Sequence, residues 1–170
     1  MGVPARYGPG KNVEATRPLR LLRGLLKYLE TDRFADLADL LRHPDMRSWL
    51  RTQSPEADND VLLLDDYVSQ RFVTTVKQAV WKDDAQGLAA RRLVDQISRL
   101  LRPLQGSPRP ASEWTAPVLE ILTQIYRERE LRPERPAEGM LLGASEQLRD
   151  ALLELQRLPP QLAGTVTASH

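Results

Sequence analysis

Few residues in this chain have both the type and the spacing for chemistry. Cysteine is absent, and histidine occurs only as His43 and His170. This excludes disulfides, thiolate metal sites, Cys nucleophiles and a three-His zinc site within one chain. Gly8-Pro9-Gly10-Lys11 has the residue types of a phosphate cradle. It lacks the Gly-Lys-Ser/Thr order and the preceding strand that such a cradle needs. Asp65-Asp66 and Asp83-Asp84 are paired carboxylates. Neighbours on a helix point about 100° apart, so these pairs make poor metal clamps and read as solvated acids at turns or helix ends. His43 has no ligand set at metal spacing. Its place before Pro44 suggests a helix C-terminus, where a cationic imidazole suits the dipole. No serine sits in a Gly-x-Ser-x-Gly elbow. On the residues alone, no catalytic residue, metal ligand or cofactor-binding residue is assigned.

Binding chemistry has one better candidate. Arg17, Arg20, Arg23 and Lys27 fall on one arc of a helical wheel. Four cations on one exposed face could neutralise phosphates and make binding salt-dependent, so these are the candidate nucleic-acid-binding residues. The bland reading is the polar face that any surface helix carries. Of the 24 basic residues, 20 are Arg. Genome composition explains such a bias, and so does bidentate phosphate contact. A net charge of +1 excludes a bulk polycation but not a local basic stripe. Trp49, Trp81 and Trp114 could stack on bases, but core packing is the better account of them.

The elements that must carry these residues read as helices. Leu supplies 29 residues, while Ile and Val together supply 13. That balance favours helix over strand. Residues 1–15 read as an irregular or extended lead-in. Thr16 then caps a helix with Pro18 in its first turn. Leu19, Leu22, Leu25, Leu26 and Leu29 form its apolar arc, with Leu21 and Tyr28 at the edge. A short helix over 33–42 turns Phe34, Leu37, Ala38, Leu40 and Leu41 inward and ends at His43-Pro44. Pro44 opens a third helix carrying Met46, Trp49 and Leu50. Residues 52–58 read as a loop and 61–72 as a helix. Residues 73–82 fit either a short helix or an extended crossing segment. A long helix runs from Asp84 to Leu101 or Leu104, with Leu93, Val94, Ile97, Leu100 and Leu101 inward and Arg91, Arg92, Arg99 and Arg102 outward.

After a Gly- and Pro-rich loop, Ser112 caps a helix with Trp114, Val118, Ile121, Leu122, Ile125 and Tyr126 on its apolar face. A last helix, from Ala137 or Ser145 to Leu158, puts Leu148, Leu152, Leu155 and Leu158 inward before Pro159-Pro160 stops it. Residues 161–170 read as an extended tail. The fold class is therefore all-α: six to eight helices around a Leu-rich core, in one domain over 16–160, with irregular N- and C-terminal segments. No apolar run approaches the about 20 residues of a membrane span, and no apolar leader opens the chain. The expectation is a soluble, cytoplasmic protein with no membrane partner.

Several stretches resemble a known family. Gly2-Val3-Pro4 with Arg6-Tyr7-Gly8-Pro9-Gly10, followed by Pro18 to Leu29, is similar to a strand, Gly-rich turn and helix in the second RecA-like domain of superfamily I helicases. Arg33-Phe34-Ala35-Asp36-Leu37-Ala38-Asp39-Leu40-Leu41-Arg42-His43-Pro44-Asp45 resembles a stretch of bacterial AddB-like and RecC-like proteins, inactivated helicases that often carry a PD-(D/E)XK nuclease domain. Leu64-Asp65-Asp66-Tyr67, Arg109-Pro110 through Trp114, and Leu158-Pro159 through Ala168 look like the same family. The resemblance implies a segment without the ATPase and nuclease motifs: the start of the second motor-like domain and its inserted helical subdomain. It carries over no catalytic residue and no cofactor.

Three functions follow as expectations. The first is a non-catalytic helical segment of an AddB/RecC-like helicase–nuclease DNA repair protein, a helicase or exonuclease subunit, where it is a scaffold for DNA, neighbouring domains or a motor subunit. The second is a free-standing helical protein–protein interaction module. The third is a small enzyme whose site would need a deep pocket with convergent polar groups.

Overall fold

The computed structural model describes residues 16–127, 129–157, 159 and 164–168. Among them are seven α-helices and one two-stranded antiparallel sheet. No helix among the described residues is long and apolar enough to cross a membrane.

Helix α1 (Arg17–Thr31) starts after extended Thr16, with Pro18 buried in its first turn. Asp32 ends it in the left-handed region (φ 54°), returning its N–H to the Tyr28 carbonyl. Aspartate is one of the few residues that tolerate this geometry. Helix α2 (Phe34–Arg42) stops at His43, which is extended (ψ 131°) because Pro44 follows. Helix α3 (Pro44–Gln53) begins at that proline. Helix α4 (Ala57–Arg71) starts four residues earlier than the expected Val61, which shortens the loop to 54–56. Ala57 and Asp60 are both buried, so the helix is extended backwards by packing that the apolar pattern does not announce.

The ambiguous 73–82 segment is extended around a 3-10 turn at Val76–Gln78. Its backbone is taken up by the α1–α2 corner. Phe34 N–H donates to Thr74 O, Val76 N–H donates to Asp32 O, and Arg33 bridges Thr75. Trp81 then stacks on Tyr67 (5.8 Å between ring centroids, 14° between planes), and Phe34 meets both rings. The Tyr67 hydroxyl donates to Val80 O at 3.2 Å. These contacts favour the crossing segment over a helix.

Helix α5 (Ala85–Leu101) is capped by Asp84, whose Oδ1 accepts from Gly87 N–H at 2.8 Å. It tightens into a 3-10 turn at Arg102–Leu104. Gly106 (φ 133°) reverses the chain, a conformation open only to glycine. Strand β1 (Arg109–Pro110) follows, then a 3-10 turn (Ala111–Trp114) where Ser112 was expected to cap a helix. Helix α6 (Thr115–Tyr126) begins after it, and helix α7 (Pro136–Gln156) comes next. Strand β2 (Thr165–Val166) pairs Val166 with Arg109 and Thr165 with Pro110. Within the tail, Thr165 and Val166 are extended and pair back onto the body. Leu158 and Pro160 lie outside the described residues.

One apolar cluster runs from α1 to α7. Helix α4 packs along α5, and α1 is held between α2 and α7. This placement rotates the buried arc of α1 toward Leu21 and Tyr28. Leu21 and Tyr28, expected at its edge, lie in the core, while Leu19, Leu26 and Leu29 are only partly buried. In α7 the deepest residues are Leu141, Ala144 and Leu148; Leu152 and Leu155 are half-buried. Trp49 and Trp114 are buried in the core and Trp81 is packed against it.

Candidate nucleic-acid interface

The basic stripe of α1 divides into two kinds of residue. Arg20 and Arg23 are exposed on the outer face, one helical turn apart. Lys27 is turned onto Asp36 of α2, with Nζ 2.5 Å from Oδ1. Asp36 is buried and also accepts from Thr31 Oγ1 at 2.7 Å. The hydrogen bond and charge of Asp36 raise the Lys27 pKa, and the same contact lowers that of Asp36. Lys27 is therefore the counter-ion of a buried carboxylate before it is anything else.

Arg17 is committed more deeply, at a site the sequence reading missed. Asp45, the second residue of α3, has a side chain with no solvent exposure. Arg17 Nη2 donates to its Oδ1 at 2.5 Å, and Arg129 Nη1 donates to the same oxygen. The Tyr126 hydroxyl donates to Oδ2 at 3.0 Å. Burial first, and then the Asp45 charge, push the Tyr126 phenol far above its ordinary pKa, so it stays a donor. The carboxylate also sits in the first turn of α3, where the helix dipole favours negative charge. Both of its oxygens are filled, so the arrangement is a clamp joining α1, α3 and the end of α6.

His43 borders this clamp and corrects one expectation. It ends α2, but it also stands at the N-cap of α3, where its Nδ1 accepts from Asp45 N–H at 3.3 Å. Burial lowers its pKa against the raising pull of Asp45. The ring is thus a neutral cap for α3 and not a cation at the end of α2. A readable signal existed in His43-Pro44-Asp45: an acceptor, a proline and an acid in order are what a helix start needs.

Of the paired carboxylates, Asp83-Asp84 stand at a helix start as expected, whereas Asp65-Asp66 lie in the middle of α4. Both oxygens of Asp65 accept from the single Nη2 of Arg42, each at 2.8 Å, and Asp84 caps α5 while pairing with Arg71. No group of three His, Asp or Glu among the described residues is placed to hold a metal ion. Gly8-Pro9-Gly10-Lys11 lies outside the described residues.

A separate apolar groove of about 680 Å³ opens between α2, α4 and the crossing segment. Ala35, Ala38, Val68 and Val73 line it, with Arg33 and Asp65 beside them. Phe72, next to it in the chain, is 90 % exposed. Comparison with protein-family models, with curated proteins and with solved structures finds no match.

Proposed function

We propose that this chain is a non-catalytic helical segment of an AddB/RecC-like helicase–nuclease DNA repair protein, serving as a scaffold for contact with DNA or a partner subunit. The observation that carries this reading is the fate of the Arg33–Asp45 stretch, where the family resemblance is strongest. Phe34, Leu37, Leu40 and Leu41 enter the core, Asp36 takes Lys27, and Asp45 takes Arg17 and Arg129. Framework positions of this kind are what a shared fold would preserve, while Ala38, also expected inward, lines the groove instead.

DNA contact is assigned to the exposed outer face of α1 at Arg20 and Arg23; Arg17 and Lys27 are turned onto Asp45 and Asp36. Two phosphate contacts give a slope of about −2 for log affinity against log salt, whereas all four cations would give about −4. Fluorescence anisotropy with a labelled duplex, titrated at several salt concentrations, checks this. Arg20→Glu with Arg23→Glu is expected to cut affinity at low salt by about tenfold or more. A folded sample that binds no DNA at low salt removes the DNA contact and leaves the scaffold role to a protein partner.

The second reading, a free-standing interaction module, is favoured by the groove between α2 and α4 and by exposed Phe72, the residue before Val73 in its lining. Its volume falls within the about 300–1,000 Å³ of ordinary binding pockets. Co-purification of a protein partner that Phe72→Asp abolishes, from a sample that ignores DNA, would select this reading.

A further inference from the structure

The corner at Trp114 holds an extended peptide in a built site. The indole Nε1–H donates to Val166 O at 3.0 Å, and Ala111 N–H donates to Gly164 O at 3.3 Å. Arg109 pairs with Val166 along the short sheet. Val166 and Ala168 pack their small side chains against the core. The occupant is thus recognised by its backbone carbonyls and by side chains that include β-branched Val166 and also Ala168.

The groups that do the recognising are fixed by other contacts. The Arg109 guanidinium lies over the Trp114 ring, 3.9 Å from its centre, and its Nη2 donates to Pro103 O at 3.3 Å. Thr115 Oγ1, the next residue along, donates to Leu152 O at 2.8 Å and ties the start of α6 to α7. Trp114 itself is buried. The grip on the occupant is slight by comparison. The strand pair is two residues long, and Pro110 has no N–H to contribute to it. Strand pairs of this size are marginal alone.

We propose that the 109–114 corner is a binding site for an extended peptide by strand addition, with residues 164–168 as its intramolecular occupant, and that a second strand of the same chemistry can take their place. The ligand class is a peptide offering carbonyls at the Gly164 and Val166 positions and a small β-branched residue at the latter. Tethering gives the resident tail an effective concentration in the millimolar range, so a free peptide competes at millimolar concentration.

The test uses the full chain with 5-fluorotryptophan at its three Trp positions, read by fluorine NMR, with Trp114→Phe assigning the Trp114 line. Val166→Asp is expected to shift that line and leave the helical circular dichroism in place. A synthetic peptide of residues 164–168 at millimolar concentration should then return the line to its wild-type position, saturably. The same peptide carrying Val166→Asp should not. If the Val166→Asp chain loses its helical signal, Val166→Ala replaces it in the same titration. A Trp114 line unmoved by either substitution overturns the proposal, as does a shifted line that ignores millimolar wild-type peptide.

Discussion

Take away the Asp45 carboxylate and two guanidiniums face one another around an emptied centre. Breaking a buried pair by deleting one partner costs about 3–5 kcal/mol. Arg17 and Arg129 keep 31 % and 28 % of their side chains exposed, so each can turn partly to water. Asp45→Ala is therefore expected near the lower end, about 3 kcal/mol, read from the urea midpoint. That is a large share of the about 5–15 kcal/mol that holds a domain together. His43 governs a pH dependence beside it. Burial lowers its pKa first; Arg17 and Arg20 push the same way, and Asp45 opposes them. The folded chain thus binds this proton less readily than the unfolded one. Stability is full above the unfolded value of about 6.5 and falls as pH drops through it. His43→Asn keeps an acceptor at the cap and removes the titration. The thermal midpoint of that variant should change less between about pH 7 and pH 5 than the parent's.

Between one helix and the next, the chain's punctuation is stricter than its apolar pattern suggests. The start of α5 was readable because Asp84 is a good cap ahead of a long apolar period. The role of Gly87 was not, because an isolated glycine in a helix carries no mark of what lies beside it. A Cβ there would meet the Lys82 carbonyl oxygen at 2.2 Å and Asp84 Oδ1 at 3.0 Å. Glycine to alanine in a helix normally gains about 1 kcal/mol. Gly87→Ala is instead expected to lose about 1–2 kcal/mol, the worth of a cap, as a lower thermal midpoint. The shift of the α4 start to Ala57, the rotated buried arc of α1 and the crossing segment at 73–82 share one cause. Each is decided by a neighbour distant in sequence, whether α5, α7 or the α1–α2 corner. Helix existence, the Pro44 start and the inward face of α5 depend on local residues, and these the sequence displayed.

Across the whole molecule, the excess of Arg over Lys acquires a structural account. Arg92 forks onto both oxygens of Asp60 from α5 to α4, Arg42 reaches both oxygens of Asp65 through Nη2 from α2 to α4, and Arg47 and Arg51 take one oxygen each of Asp58 from α3 to α4. Arg71 reaches Asp84, while Arg17 and Arg129 share Asp45. A planar guanidinium meets a carboxylate with two bonds where an ammonium meets it with a point charge. In the exposed pairs this fixes how one helix faces another more than it stabilises them. Such pairs were illegible because nothing in a linear pattern says which Asp an Arg will find. The pairing of Arg17 with Asp45 and of Lys27 with Asp36 in the α1 stripe is of this kind. The Asp45 clamp also orders events as the chain folds. Its arginines lie 28 and 84 residues away along the chain. Closing the longer loop costs about 1 kcal/mol more in chain entropy. That difference favours the Arg17 contact as the earlier of the two, and the Arg129 contact is the one that ties the second half of the chain to the first.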